Sequence, residues 1–343
     1  MVLNVDRGLL GGLEERLQRI ERPPVITMTT DFGQHDGYVA AMKGVIFALL
    51  PDAQVVDISH EVGPQQIHEG AFILYRAYRY FPASAIHVAI VDPGVGTSRR
   101  PILLVTRHGT FVGPDNGIFT YILRAEQAPG ENPEGAGRPP WVGGMWSVAP
   151  NWATDEEDDT PSSQPPADSE HPEQDGLPRA YRLADSHYWL ASISNTFHGR
   201  DIFAPVAAHL ASGAHPERVG EPVDLKSLVK LPVGVPRVRK TAKGTSVVGQ
   251  VVYLDRFGNI TTNLPDRLLG PLVEAAPTGS PPIIEVGGHQ ITGMVKSYAD
   301  VREGQPLALI GSEGLLEVAV RNASAAQRMK VRIGDPVRIM FGK

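Results

Sequence analysis

The residues best suited by type and spacing to chemistry lie in Ile90–Arg100, IVDPGVGTSRR. Asp92 follows Ala85–Val91, an apolar run that reads as a buried strand. Pro93, Gly94 and Gly96 then form a turn, and Arg99 and Arg100 close it. A carboxylate at the C-terminal end of a buried strand, before a glycine turn, is where open α/β sheets bind ligands. Glycines there let backbone approach a ligand closely. Asp92 and Arg99 are seven residues apart across the turn, a spacing that lets both fold back toward one cavity. The same residues also suit a tight turn closed by a structural ion pair.

Two further strand ends deliver polar residues at turns. Val25–Thr30 runs into Asp31, Phe32 and Gly33. A strand expected over Tyr188–Ile193 runs into Ser194-Asn-Thr-Phe-His198-Gly-Arg-Asp201 and then a helix through Leu210. A histidine between a strand and a helix start is well placed to face a ligand. Pro114-Asp-Asn-Gly117 is strong turn chemistry, and Asp115 or Asn116 suits the cap of a short helix over Ile118–Leu123. Near the C-terminus, Asp255-Arg-Phe-Gly-Asn259 offers a carboxylate, an aromatic ring and an amide within five residues, and Ser312–Asn322 adds a hydroxyl and Glu317. Each of these also fits ordinary hairpin chemistry.

The elements that must position these residues follow from periodicity. Strand-like Val25–Thr30, Gln54–Ser59 and Ile86–Val91 alternate with helical patterns over Gly37–Leu50 and Ile67–Tyr80. That alternation predicts an α/β domain over 25–212, with a mainly parallel sheet covered on both faces. Ile102–Thr106 and Thr110–Val112 read as a hairpin. Residues 126–178 read as an acidic, Pro-rich surface insertion, partly disordered. Residues 213–239 read as a linker. From 240 to 343, short β-type runs separated by Gly, Asn and Asp predict a small β-barrel-like domain. Residues 1–24 read as a helical extension, with Leu9, Leu10, Leu13, Leu17 and Ile20 on one face.

The chain has 343 residues, 42% of them hydrophobic, which suffices for two cores. It has no cysteine, so thiol nucleophiles, disulfides and Cys-ligated metals are excluded. Nine acids between Asp155 and Asp175 account for more than the net charge of −6, and the remainder shows no dense basic patch. Nucleic acid is therefore not an expected partner. No apolar run reaches the roughly 18–20 residues of a bilayer span, and the N-terminus lacks a signal-peptide pattern, so a cytoplasmic protein is expected. The usual P-loop, dinucleotide, zincin and serine-hydrolase motifs are missing.

Taken in order, TTDFG (29–33), VDPGVGTSRR (91–100), PDNG (114–117), SNTFHGRD (194–201), DRFGN (255–259) and GSEGLLEVAVRNASAA (311–326) resemble one known family. It is that of the S-adenosyl-L-methionine (SAM) hydrolases, also called SAM hydroxide adenosyltransferases or DUF62 proteins, relatives of fluorinase and chlorinase. The resemblance runs from about Pro24 to Lys343, apart from the insertion. It implies an N-terminal α/β domain, a C-terminal β-barrel-like domain, and a homotrimer whose sites lie between subunits. It implies SAM as substrate, adenosine and L-methionine as products, and neither metal nor cofactor. The family's triad, proposed to act on water, falls on Asp92, Arg99 and His198. The ribose-gripping carboxylate falls on Asp31. Contacts to the methionine end fall near Asp255 and Asn259, Ser312 joins them, and Phe257 in the same DRFGN turn is a further substrate-binding residue. Tyr298 takes the place of an aromatic that stacks on adenine. The Glu317–Val320 turn meets substrate, with the Val320 backbone reading the adenine edge.

The departures favour water over halide. In the halogenating relatives a tyrosine replaces Asp92, a threonine Val95 and a serine Gly199. A carboxylate beside the nucleophile repels an anion and hydrogen-bonds a water. The resemblance thus implies attack of water at the ribose 5′ carbon, with His198 or Asp92 as proton acceptor. Two rivals are a halide-dependent adenosyltransferase on the same scaffold and a trimer that binds SAM or adenosine without turning it over.

Overall fold

The structure, a computed structural model, describes residues 23–127, 176–241, 244–277 and 280–342. The expected N-terminal helix and nearly all of the expected insertion lie outside the described residues. The chain divides into two compact units. The first contains residues up to 65, 81–115 and up to 228 after the insertion; the second contains 66–80, 116–127 and 229–342.

The first unit is built on a seven-stranded sheet. Its strands are β1 (Val25–Thr30), β2 (Gln54–Ser59), β3 (Ile86–Ile90), β4 (Pro101–Thr106), β5 (Gly109–Pro114), β6 (Arg179–Leu183) and β7 (Gly220–Val223). The order is β2-β1-β3-β5-β4-β6-β7. Pairing is parallel from β2 to β5 and antiparallel from β5 to β7. All five residues of β3 are buried, so Ile-His-Val-Ala-Ile is apolar on both faces except for His87. Ile26, Met28, Val88 and Ile90 pack against Val39, Met42 and Ile46 of the helix Tyr38–Leu49 and against Val206 of the helix Ala204–Ala211.

Two local expectations change. Tyr188–Ile193 is not a strand. Ser186–Tyr188 is a single 3₁₀ turn, with Asp185 accepting from His187 N at 2.9 Å, and a loop follows. Buried Asp201 satisfies that loop instead of a ladder: its carbonyl takes Leu190 N at 2.9 Å and its Oδ2 takes Ser194 N at 2.8 Å. The strand is β6, just upstream, where Arg-Ala-Tyr-Arg-Leu alternates. The stretch expected as a linker also carries β7, which pairs with β6 at the sheet edge.

The second unit is an eight-stranded, antiparallel, nearly closed sheet. Its strands are β8 (Arg237–Thr241), β9 (Gly244–Leu254), β10 (Ile260–Pro265), β11 (Ile283–Val286), β12 (His289–Thr292), β13 (Pro306–Ile310), β14 (Leu315–Val320) and β15 (Pro336–Phe341). The order is β12-β11-β15-β9-β10-β14-β13, with β8 also on β9. Val247, Val251, Ile260, Ile284, Val318 and Ile339 fill its interior. The β11–β12 turn is Gly287-Gly288, with φ of 55° and 76°, the double positive φ that a tight two-residue hairpin requires. A helix over Asp266–Glu274 interrupts the expected all-β run. The helix Ile67–Ala77 belongs to this unit too: Phe72 stacks on Tyr253 with ring centroids 5.1 Å apart. No helix among the described residues is long and apolar enough to cross a membrane.

Candidate active site

In the first unit, β1 and β3 are parallel neighbours with Thr30 opposite Ile90. Asp31 and Asp92 therefore leave the sheet at the same edge, the C-terminal edge of parallel strands where ligands bind. After Asp92 the chain turns tightly. Val95 N donates to Asp92 O at 3.2 Å, and Thr97 donates to Gly94 O through both N (3.1 Å) and Oγ1 (2.7 Å). Gly96 holds φ of 76°, and a Cβ there would collide with the carbonyl of Asn195. That close approach seats the 92–99 turn against the loop carrying His198.

The turn returns Arg99 to Asp92. Arg99 Nε donates to Asp92 Oδ2 at 2.8 Å, and Nη2 donates to the same oxygen. Nη2 also lies 2.9 Å from His198 Nδ1. The three residues thus form one continuous cluster. The Asp92 and Arg99 side chains are only 5% and 9% exposed, so their pairing is shielded from water. The guanidinium also lies 5.2 Å from the centroid of the Phe203 ring.

A guanidinium has only donors. Nδ1 of His198 must therefore accept, and the neutral ring carries its proton on Nε2. Burial lowers the His198 pKa below its usual 6.5 and Arg99 adds to the effect, against Asp92, Asp201 and the Ser194 backbone. Asp92 Oδ1 is buried and has no hydrogen-bond partner among the described residues. A buried carboxylate oxygen without a donor is costly, and it is the natural acceptor for a ligand hydroxyl or a water.

His198 leads into a wide turn at Gly199–Phe203, where backbone bonds span five residues. Such π-type turns recur at functional sites. Asp201 is fully buried, and its Oδ1 takes Arg200 Nε at 2.6 Å. A Cβ on Gly199 would come to 3.2 Å from Met42 Sδ and 3.4 Å from Ile90 Cδ1. Asp31 Oδ2 accepts from Gln65 N at 2.8 Å. Asp115 is occupied elsewhere, accepting from Arg100 Nε at 2.8 Å, while Asn116 Oδ1 accepts from Ile118 N at 3.2 Å.

The remaining expected site residues fall in the second unit. Asp255 Oδ1 accepts from Phe257 N (2.9 Å) and Asn259 N (2.8 Å), and its Oδ2 accepts from Asn259 Nδ2 (2.9 Å). Phe257 is 77% exposed at the tip of that turn. Tyr298 donates its hydroxyl to Glu317 Oε1. Burial raises the Glu317 pKa, Asp255 and Glu313 add to the rise, and Tyr298 and Arg76 oppose it. Burial and the Glu317 carboxylate raise the Tyr298 hydroxyl as well. Ser312 is exposed in the turn between β13 and β14. Val320 is buried, and its carbonyl accepts from Ala323 N at 3.1 Å.

Several participants escape sequence reading. Asp201, Gln65 and Phe203 support the first cluster. In the second unit Arg76 reaches Glu313, with Nε 2.6 Å from Oε1, although 237 residues separate them. Only Asp201 carried a signal, through its place in the SNTFHGRD stretch.

Comparison with known proteins bears on both units. The model of the SAM hydroxide adenosyltransferase N-terminal domain matches residues 26–134 and 169–220, and that of the C-terminal domain matches 249–338. A relative from Thermus thermophilus named (R)-S-adenosyl-L-methionine hydrolase is 34% identical, over 91% of this chain and 97% of its own length. A fluorinase from Nocardia brasiliensis is 27% identical, over 94% and 98%. The crystal structure of an uncharacterized conserved protein from Thermotoga maritima superposes with a TM-score of 0.69 at 31% identity, covering 92% of this chain and 99% of that one. This chain belongs to the SAM hydroxide adenosyltransferase family.

Proposed function

We propose that this protein is an enzyme that hydrolyses SAM to adenosine and L-methionine, with water attacking the ribose 5′ carbon. The observation that carries the reading is the Asp92–Arg99–His198 cluster with its one unpartnered carboxylate oxygen. The name of the Thermus relative specifies the (R) sulfonium epimer, and we extend that substrate to this chain.

In the reaction a C5′–O bond forms as the C5′–S bond breaks. Both electrons of the broken bond go to sulfur, which leaves as the neutral thioether of methionine. The attacking water loses one proton. His198 cannot take it at Nδ1, which Arg99 fills, nor at Nε2, which already bears hydrogen. Asp92 Oδ1 is therefore the acceptor, and His198 Nε2–H orients the water. Asp31 grips the ribose hydroxyls and fixes the 5′ carbon in line. A positioned base of this kind contributes roughly 10²–10⁴-fold.

Asp255, with Phe257, Asn259 and Ser312, holds the methionine end. Asp255 Oδ2 takes a single bond within its turn, which leaves acceptor capacity for an ammonium group. Tyr298, Glu317 and the Val320 backbone face the adenosine. The working form is a cytoplasmic homotrimer in which the second unit of a neighbouring copy completes the site.

The test is turnover of each SAM epimer in ¹⁸O-labelled water, with mass spectrometry of the nucleoside. One ¹⁸O at the 5′ position, with methionine released, is the expected result. A 5′-halo product that requires chloride replaces this reading with halide transfer. Binding of SAM or adenosine without product from either epimer replaces it with a binding protein.

A further inference from the structure

Asp31 sits at the end of β1 on a loop that is fastened from one side. The fastening comes from the segment after β2, and its centre is His60, whose side chain is wholly buried. Three observations converge there. His60 Nδ1 lies 2.8 Å from Thr30 Oγ1. The His60 carbonyl accepts from Gly33 N at 2.8 Å. On the far side of the ring, Nε2 lies 2.9 Å from Asp57 Oδ1, and Asp57 Oδ2 is bound by Lys43 Nζ at 2.6 Å.

The donors can be ordered. Nε2 lies within ion-pair distance of Asp57 Oδ1 but makes no well-aimed hydrogen bond to it; the carboxylate, which only accepts, favours the tautomer that carries its proton on Nε2. Nδ1 then accepts from the Thr30 hydroxyl. The lone pair left on Thr30 Oγ1 accepts from Phe32 N at 3.3 Å. His60 thus holds the amides on the far side of Asp31 twice, that of Phe32 through Thr30 and that of Gly33 directly. Farther along the same segment Gln65, at φ of 64°, aims its own amide at Asp31 Oδ2 from 2.8 Å. A non-glycine residue in that region is uncommon, and here it adds a donor to the carboxylate.

We infer that His60, oriented by Asp57 and acting through Thr30, is a positioning residue that sets the angle at which Asp31 meets the ribose hydroxyls. The inference rests on the ribose-gripping role proposed for Asp31. It assigns a task to a buried histidine, paired with the more exposed Asp57, that takes no part in the attack on the 5′ carbon.

The experiment compares the affinity of the full-length protein for adenosine and for 2′,3′-dideoxyadenosine by titration calorimetry. The ratio of the two affinities reports the grip on the hydroxyls, and a general loss of stability leaves it unchanged. Wild type is expected to prefer adenosine by at least about tenfold, the size of a hydrogen bond to a charged group. Asp31→Asn removes that preference. His60→Leu and Thr30→Val are expected to compress it to within about threefold, while Thr30→Ser, which keeps the hydroxyl, retains it. Thr30→Val is nearly isosteric, so the answer does not depend on His60→Leu folding. If Asp31→Asn loses the preference but Thr30→Val keeps it, the positioning role is wrong and the ribose role stands. If wild type shows no preference, the ribose role itself fails and the inference falls with it.

Discussion

Arg99 Nη2 donates to His198 Nδ1 at 2.9 Å, and this one bond fixes which nitrogen of the imidazole is bare and which carries hydrogen. Burial and the neighbouring guanidinium both disfavour a second proton on the ring. His198 is therefore expected to titrate below its ordinary 6.5. An NMR titration of the His198 ring protons checks this. In Arg99→Gln one depressing charge is gone while Asp92 remains, so the midpoint moves up. A wild-type midpoint at or above 6.5 contradicts the tautomer and the role assigned to Asp92.

The assignment of Asp92 as proton acceptor separates it from His198 in kinetics. Asp92→Asn removes the base and is expected to lower kcat by roughly 10²–10⁴-fold with little change in KM. His198→Gln keeps a side-chain donor for the water and is expected to cost less than Asp92→Asn. Steady-state kinetics on (R)-SAM decide the order. The reverse order makes His198 the base.

Gly96 joins the two loops of the cluster. Its φ of 76° and its closeness to the Asn195 carbonyl leave no room for a side chain. Gly96→Ala is expected to cost about 1–3 kcal/mol of stability, from backbone strain and a displaced loop. Because the displaced loop carries His198, kcat is expected to fall further than stability alone explains. Denaturant melts and single-turnover rates at a temperature where the variant is folded separate the two effects.

Much of this site was legible because strand ends, glycine turns and acids adjoin in sequence. The seven-residue return from Asp92 to Arg99 is a local property and is visible as spacing. The bond from Arg99 to His198 joins residues 99 apart; no spacing rule reaches it, and only the ordered family motifs placed His198 beside the pair. The strand expected over Tyr188–Ile193 failed for a related reason. Tyr188 and Trp189 are apolar because they pack on the core of the first unit, not because they extend in its sheet. Periodicity also identified the helix Ile67–Ala77 without showing which unit it packs in, since Phe72 meets its partner Tyr253 only through the tertiary fold. His60 carries no sequence signal, because its contact with Thr30 joins residues thirty apart.

A second buried histidine predicts the pH dependence of stability. His87 on β3 is fully buried, with Nδ1 2.8 Å from Thr27 Oγ1, and burial lowers its pKa from 6.5 to about 3. Below pH 6.5 the unfolded chain takes up a proton that the folded chain refuses. The contribution is thus fully present above pH 6.5 and is lost as pH falls toward 3, with a slope of at most about 1.4 kcal/mol per pH unit. Replacing His87 by Gln is expected to flatten stability between pH 6.5 and 4.5 relative to wild type. Equal slopes in urea melts of the two proteins show that other groups control acid unfolding.

Gly199 tests the distinction between water and halide. The family resemblance implies a serine at this position in the halogenating relatives, an addition of one hydroxymethyl group. In this chain, however, a Cβ at residue 199 meets Met42 Sδ at 3.2 Å and Ile90 Cδ1 at 3.4 Å, and Gly199 itself is buried. Both neighbours belong to the packed core of the first unit, so they yield little. Gly199→Ser is expected to lose about 1–3 kcal/mol of stability, the usual cost of overpacking. It is also expected to gain no halide dependence, because Asp92 Oδ1 remains a buried carboxylate oxygen without a hydrogen-bond partner among the described residues, and a carboxylate repels an anion. Rates with and without added chloride, and a search for 5′-chloro product, check the second part. Halide-dependent product from Gly199→Ser would mean that residue 199, not the charge of Asp92, selects the nucleophile. The same assay on Asp92→Asn, with the carboxylate charge removed and Gly199 kept, then distinguishes repulsion from a missing hydroxyl: chloride inhibition or turnover that appears only there assigns the exclusion of anions to Asp92.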